Sequence, residues 1–250
     1  PYIEFLNQNT NNKDISFYKG VSYRHLMLWR NGKWNMKLTP PHDIPEQEIA
    51  KFLPDGDGSQ FITQLMLDSQ KLLKECVLNK KRTQEGKKEV SSIWLWGHGK
   101  KPSMPTFQEK YSLKGTVIAA VDLIFGIGVL AGLKPAKVNG ATGYIDTNFE
   151  GKVTAALNSL ENNDICFVHI EACDEVSHEG SLEKKILGIK LINDRFLNPL
   201  IKGLEKYDNY RILLAIDHPT PVKQKIHVAD PVPFLIYQKN KKQKGIENFC

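Results

Sequence analysis

Two apolar runs in the second half of the chain constrain its fold most strongly. Ile165-Cys166-Phe167-Val168-His169-Ile170 and Arg211-Ile212-Leu213-Leu214-Ala215-Ile216 each read as a strand apolar enough for burial in a parallel sheet. Between them, Ser181–Leu204 carries the spacing of a long amphipathic helix. Strand, helix and strand in this order predict a βαβ unit. The rhythm extends to both sides. Helices are predicted over Val117–Leu133 and Gly151–Leu160, and a last strand over Pro233–Tyr237. The expected class is α/β, a three-layer sandwich with helices on both faces of the sheet.

The first hundred residues read differently. Short β-like runs are broken by turn residues. Val21–Arg30 is a predicted strand, followed by Asn31-Gly32 as a hairpin signal. Residues 59–90 carry helical spacing at Phe61, Leu65, Leu72, Leu73 and Cys76. Ser92–Trp96 is a predicted strand running into the glycine-flanked turn Gly97-His98-Gly99. This contrast predicts two domains, residues 1–103 and residues 104–250.

Open α/β sheets bind ligands beyond the carboxyl ends of their strands. The polar residues of this chain concentrate there. Asp174 and His178 follow the first apolar strand, Asp217 and His218 follow the second, and His227 comes a little later. Five such side chains beside one sheet end would be costly without a compensating cation. Mixed carboxylate and imidazole donors suit Mn²⁺, Zn²⁺ or a similar ion. Asp174 and His178, four residues apart, can hold one ion from a short turn, to which His227 returns. The adjacent Asp217 and His218 can serve a second.

The wider sequence excludes several classes. The net charge is +6 among 250 residues, and the lysines form no basic stripe interleaved with aromatics, so nucleic acid is not expected as a partner. The mild excess reads as a solubilising surface, with an anionic small-molecule substrate as the sharper alternative. No uninterrupted apolar run reaches about 18 residues, so no membrane span is expected. The four cysteines, Cys76, Cys166, Cys173 and Cys250, form no CxxC pair and read as free thiols of a reducing cytoplasm.

Longer segments carry a family resemblance. They are Val168–Gly180 around Asp174 and His178, Asp217-His218-Pro219-Thr220-Pro221, and His227-Val228-Ala229-Asp230-Pro231-Val232-Pro233-Phe234. Tyr23-Arg24-His25-Leu26, Thr39–Asp43, Trp94–Gly99 and Gly140-Ala141-Thr142-Gly143-Tyr144 agree with them. Together they resemble the alkaline phosphatase superfamily, and within it the archaeal-type, cofactor-independent phosphoglycerate mutases.

The resemblance implies a phosphatase-like domain bearing an inserted α+β lid. It implies two divalent metal ions, Mn²⁺, Zn²⁺ or Mg²⁺, and no requirement for 2,3-bisphosphoglycerate. By motif position, Asp174, His178 and His227 would hold one ion, and Asp217 and His218 the other. The substrate would be phosphoglycerate, its phosphoryl group moving between the 2- and 3-hydroxyls through a phosphoserine. Arg24, His25, Arg82, His98 and Lys100 are the candidate contacts to its anionic groups, with Arg24 foremost because a guanidinium fork suits phosphate and carboxylate.

The sequence departs from the family pattern. Cys173 stands where the family usually has Pro, and Val228 where it usually has Thr; neither is a ligand position. The family's first-strand Asp ligand and its nucleophilic Ser have no counterpart in residues 1–250. Residues 1–20 match sequence within the lid, and Ser91 and Ser92 have no adjacent base. The expectation is therefore an N-terminally incomplete chain, inactive alone. Two rivals remain: a related phosphotransferase such as a homoserine kinase, and a non-catalytic metal-binding remnant. Oligomeric state is not legible. His169, on an apolar strand, reads as a satisfied core histidine.

Overall fold

The computed structural model describes residues 1–20, 24–44 and 46–241. Val21–Tyr23, the start of the expected strand and of one motif, lie outside these, as does Cys250. The chain divides into two compact units, Pro1–Pro102 and Ser103–Cys250.

The first unit contains α1 (Tyr2–Asn9), β1 (Ile15–Tyr18), β2 (Leu26–Trp29), β3 (Met36–Lys37), β4 (Asp55–Gly56), α2 (Ser59–Glu75) and α3 (Val77–Gln84). Strands β1 and β2 pair antiparallel, with Ile15 opposite Trp29 and Tyr18 opposite Leu26. The partner of β2 is thus upstream. Asn31-Gly32 ends that strand, with Asn31 at φ 55°, rather than opening a hairpin to the next one. Ile3, Leu6, Ile15, Phe17 and Leu65 form the core, and Trp29 stacks on Phe61 with ring centroids 4.5 Å apart.

The helix expected over 59–90 breaks at Cys76, whose extended backbone separates α2 from α3. The strand expected over Ser92–Trp96 does not form. Ile93 and Leu95 do pack on the core, but the Ile93 amide donates to the Ser69 hydroxyl (3.0 Å) and the Val90 amide to Asn79 Oδ1 (2.9 Å). Side chains of the helices take the place of a neighbouring strand.

The second unit contains α4 (Phe107–Tyr111), β5 (Gly115–Ile118), α5 (Asp122–Leu130), β6 (Lys134–Pro135), α6 (Phe149–Leu160), β7 (Ile165–Val168), α7 (Ala172–His178), α8 (Leu182–Leu191), α9 (Asn198–Leu204), β8 (Arg211–Ala215) and β9 (Phe234–Gln238). A parallel sheet runs in the order β6-β5-β7, as the βαβ rhythm requires. The helix expected over Val117–Leu133 is in fact a strand followed by a helix. All four residues of β5 are buried, which is the environment of a central parallel strand.

Helix α6 buries Phe149 and Val153 against Ala172 and Phe196, with Leu157, Val168 and Leu200 around them. The long helix expected over 181–204 is present with a flaw. Between α8 and α9, residues Ile192–Leu197 widen into π-helical turns. Pro199 has no amide to give the α-helical bond to residue 195, which favours the wider turn there.

The second apolar run, expected as a buried parallel strand, does not join the parallel sheet. β8 pairs antiparallel with β9, apart from the parallel sheet, and Leu213, Phe234 and Ile236 are 65%, 69% and 63% exposed. Among the described residues no helix is long and apolar enough to cross a membrane.

Candidate metal centre

The site is assembled by two chain segments that meet beyond strand ends. The first leaves β7. The His169 amide still donates to the Ile118 carbonyl (2.8 Å), extending the ladder, and the chain then turns into α7 at Glu171. Asp174 and His178 therefore project from a helix, one turn apart on the same face, and not from the short turn expected. Ala172, Val176 and Ser177 anchor the other side of that helix in the interior.

The second segment leaves β8 as Asp217-His218 and folds back on itself. The amides of Gln224 and Lys225 both donate to the Pro221 carbonyl (3.0 and 2.9 Å), and the Val228 amide donates to that of Pro219 (3.1 Å). Lys225 takes φ 59° to complete the reversal, which returns His227 to the start of the loop. Lys185 on α8 reaches down to the Thr220 carbonyl (2.9 Å) and fastens the loop.

Four of the five predicted ligands meet closely. Asp174 Oδ2 lies 3.3 Å from His178 Nε2, and its Oδ1 lies 3.5 Å from His227 Nε2. The two Nε2 atoms of His178 and His227 are 3.0 Å apart. Asp174, His218 and His227 each present one ligand atom within 4.8 Å of the others, and the rings of His218 and His227 have centroids 3.7 Å apart. Asp217 is the outlier: 80% exposed, it meets the cluster through Oδ2, 3.5 Å from His218 Nε2.

The donor chemistry fits a cation. His178 Nδ1 faces the Lys225 carbonyl at 2.8 Å; a carbonyl only accepts, so Nδ1 carries the proton. The Nε2 of a neutral His178 is then a bare lone pair pointed at a second ring nitrogen. Two nitrogens bound to one ion at about 2.1 Å each stand roughly 3.0–3.4 Å apart, which is the separation seen. Burial would raise the Asp174 carboxyl, but the Thr220 hydroxyl bonded to its Oδ1 and the imidazoles of His178, His227 and His218 outweigh that and hold it below the usual range. The carboxylate is thus ionised and ready to ligate.

Two residues not nominated from the sequence belong to this neighbourhood. Thr220, only 4% exposed, bonds to Asp174 Oδ1 and stands 3.4 Å from His218 Nδ1. A hydroxyl between two prolines just after Asp217-His218 was the available signal. Lys152 on α6 is fully buried, and its amine donates to the His169 carbonyl (2.9 Å) at the mouth of β7. Burial lowers its pKa, with the Glu171 carboxylate opposing. His169 is not the satisfied core histidine expected, because its buried Nδ1 has no hydrogen-bond partner among the described residues. Burial, then the Lys152 charge, lowers its pKa, against the pull of Asp217 and Asp174.

The candidate substrate contacts lie in the first unit. Arg24 and His25 are exposed just before β2, and His25 Nδ1 accepts from the Gly20 amide (3.2 Å). Arg82, on α3, spends its Nε on the Lys88 carbonyl (2.8 Å), a local structural bond. His98 and Lys100 are exposed, with the Lys100 amine 4.8 Å from the centroid of the Trp34 ring.

The chain is similar to known proteins. The chain is 52% identical over 224 residues to a probable 2,3-bisphosphoglycerate-independent phosphoglycerate mutase of Geobacter sulfurreducens, covering 90% of this chain and 56% of that protein. It is 44% identical over 241 residues to a 2,3-bisphosphoglycerate-independent phosphoglycerate mutase of Methanosarcina mazei, covering 96% of this chain and 61% of that one. The chain thus spans about three-fifths of the length of these relatives. The solved structure of the PH0037 protein from Pyrococcus horikoshii superposes with a TM-score of 0.71 at 24% identity, over 94% of this chain and 57% of that one. This likeness gives the fold, the alkaline-phosphatase-like arrangement implied by the sequence motifs. Residues 16–250, which include every member of the Asp and His cluster, match the Metalloenzyme superfamily, and the chain belongs to that family.

Proposed function

We propose that the protein represented by this chain is a metal-dependent, cofactor-independent phosphoglycerate mutase, interconverting 2-phosphoglycerate and 3-phosphoglycerate. The observation that carries this reading is the cluster of Asp174, His178, His218 and His227, with the ring nitrogens of His178 and His227 3.0 Å apart and the Asp174 carboxylate beside both of them. The names of the relatives above support the choice of reaction.

In this reading Asp174, His178 and His227 hold one divalent ion, and Asp217 and His218 hold the other. Mn²⁺ and Zn²⁺ both suit the donors, and Mg²⁺ would be held less well because imidazole is a poor ligand for it. When bound, a pair of such ions stabilises the attacking and leaving oxygens of an in-line phosphoryl displacement. The phosphoryl group passes from one glycerate hydroxyl to a serine and back to the other hydroxyl, so no cofactor is consumed. No serine of residues 1–250 is assigned that role. The protein's own groups supply order and charge. His178 is oriented by the Lys225 carbonyl, and Asp174 by the Thr220 hydroxyl. Residues Pro1–Pro102 act as the lid, where Arg24, His25, His98 and Lys100 are the candidate clamps for phosphate and carboxylate; Arg82 is the weaker member because its Nε is already engaged. A cytoplasmic site of action, with no nucleic-acid partner, fits the substrate and the charge pattern.

The test is turnover by the full-length gene product with Mn²⁺. The expected result is conversion of 2-phosphoglycerate to 3-phosphoglycerate without added 2,3-bisphosphoglycerate, abolished by a chelator and by His178→Ala. ATP-dependent phosphorylation of homoserine without mutase turnover would overturn the reading. So would the absence of any phosphoryl transfer.

A further inference from the structure

We infer that Thr220 is a positioning residue that joins the two metal-ligand sets, fixing the carboxylate of Asp174 and the tautomer of His218 with one hydroxyl group. The inference deepens the two-metal reading above and rests on it.

A threonine hydroxyl has one proton to give and lone pairs to accept with. Here it stands between two groups of opposite need. The oxygens of a carboxylate accept, and the Thr220 hydroxyl donates its proton to Asp174 Oδ1. The hydroxyl oxygen can then serve His218 Nδ1, 3.4 Å away, only as an acceptor. That places the His218 proton on Nδ1 and leaves Nε2 bare. Nε2 is the nitrogen that lies 3.5 Å from Asp217 Oδ2, on the side where an ion held by Asp217 and His218 belongs. The same bond leaves Asp174 Oδ2 directed at His178 Nε2 (3.3 Å).

The position of the hydroxyl is over-determined. Thr220 lies between Pro219 and Pro221, whose rings fix φ on both sides. Its carbonyl accepts from Lys185 (2.9 Å), and the Pro219 carbonyl before it accepts from the Val228 amide (3.1 Å). Thr220 is 4% exposed, which limits competition from solvent for the hydroxyl. Groups that hold metal ligands in this way commonly govern metal affinity by about 10–100-fold.

The experiment compares the parent chain with Thr220→Val, which keeps the shape and loses the hydroxyl, and Thr220→Ser, which keeps the hydroxyl. Mn²⁺ affinity is measured by calorimetric titration, and the His218 tautomer by ¹⁵N imidazole shifts in the metal-free protein. Metal-free unfolding midpoints report on folding. The expected result is a loss of about 10–100-fold in affinity for Thr220→Val, with the His218 proton no longer confined to Nδ1, and restoration of both by Thr220→Ser. Equal affinity in parent and Thr220→Val overturns the inference. Equal weakening in both variants, with lowered midpoints, also overturns it, because packing alone would then explain the loss. Failure of the parent to bind Mn²⁺ instead overturns the two-metal reading on which the inference rests.

Discussion

His178 Nε2 and His227 Nε2 face each other at 3.0 Å, across a gap set by α7 on one side and by the reversed loop after β8 on the other. Nothing in local sequence brings these residues together; they are 49 positions apart. With the His178 proton committed to the Lys225 carbonyl, the facing nitrogens need a shared proton or a cation between them. A bound ion that meets this need in the folded state alone must stabilise the fold.

The first prediction follows from that linkage. Free Mn²⁺ at a hundred times its dissociation constant contributes about 2.7 kcal/mol of stability. For a chain of this size, each kcal/mol moves the melting temperature by roughly 2–4 °C. Differential scanning calorimetry is expected to show a rise of roughly 5–11 °C with Mn²⁺, reversed by a chelator. An unchanged melting temperature at saturating metal would count against the site.

Gly180 bears on the same geometry from the backbone. It follows α7 two residues after His178 with φ +79°, and a Cβ added there would lie 2.2 Å from Lys225 Cε. Lys225 is the residue whose carbonyl orients His178. Gly180→Ala is expected to destabilise the fold by roughly 1–2 kcal/mol from the left-handed backbone alone, and to weaken Mn²⁺ binding by displacing Lys225. Chemical denaturation and calorimetric titration of the variant check the two effects separately. A variant as stable as the parent would contradict the assignment.

Cys166, on β7 opposite Thr116, provides a pH test away from the metal ligands. Burial pushes its thiol up to about 11 from an ordinary 9.0. Between those values the unfolded chain has lost the proton and the folded chain has kept it. Stability contributed by this group is complete below pH 9 and is lost as pH rises toward 11. The stability difference between the parent and Cys166→Ala is therefore expected to shrink across that interval in denaturation curves. The same burial predicts that at pH 8 thiol reagents modify Cys166 much more slowly in the folded protein than in the unfolded one.

Phe149 is fully buried at the start of α6, where it packs with Val153, Ala172 and Phe196. Phe149→Ala is expected to cost about 3–5 kcal/mol, the usual range for a buried aromatic. Because Ala172 opens α7, the loss should extend to metal affinity as well. Urea denaturation with and without Mn²⁺ separates the two contributions.

The sequence carried the site better than it carried the layers around it. Asp174 and His178 are visible because two donors four residues apart follow an apolar strand, although the sequence suggests a short turn where the structure has helix α7. Asp217 and His218 are visible because they end the next apolar strand. The fold around them was harder to read. Thr116-Val117-Ile118 merges with the apolar residues of α5 into one run, so a buried strand and a helix read as a single helix. Ser92–Trp96 has strand composition, but its amides are satisfied by Ser69 and Asn79 side chains that local pattern cannot foresee. Arg211–Ala215 reads as a buried parallel strand, yet it pairs with β9 in an exposed antiparallel ribbon, since composition fixes apolarity and not the partner. The place of Thr220 beside Asp217-His218 is visible in the sequence, but its bond to Asp174 is not, because that depends on α7 meeting the loop after β8.

The number of ions bound tests the two-metal assignment most directly. Mn²⁺ stoichiometry, measured by calorimetric titration and by metal analysis after gel filtration, should fall by one ion per chain in His178→Ala and by one in His218→Ala. Unchanged stoichiometry in both variants would contradict the assignment of Asp174, His178 and His227 to one ion and of Asp217 and His218 to the other.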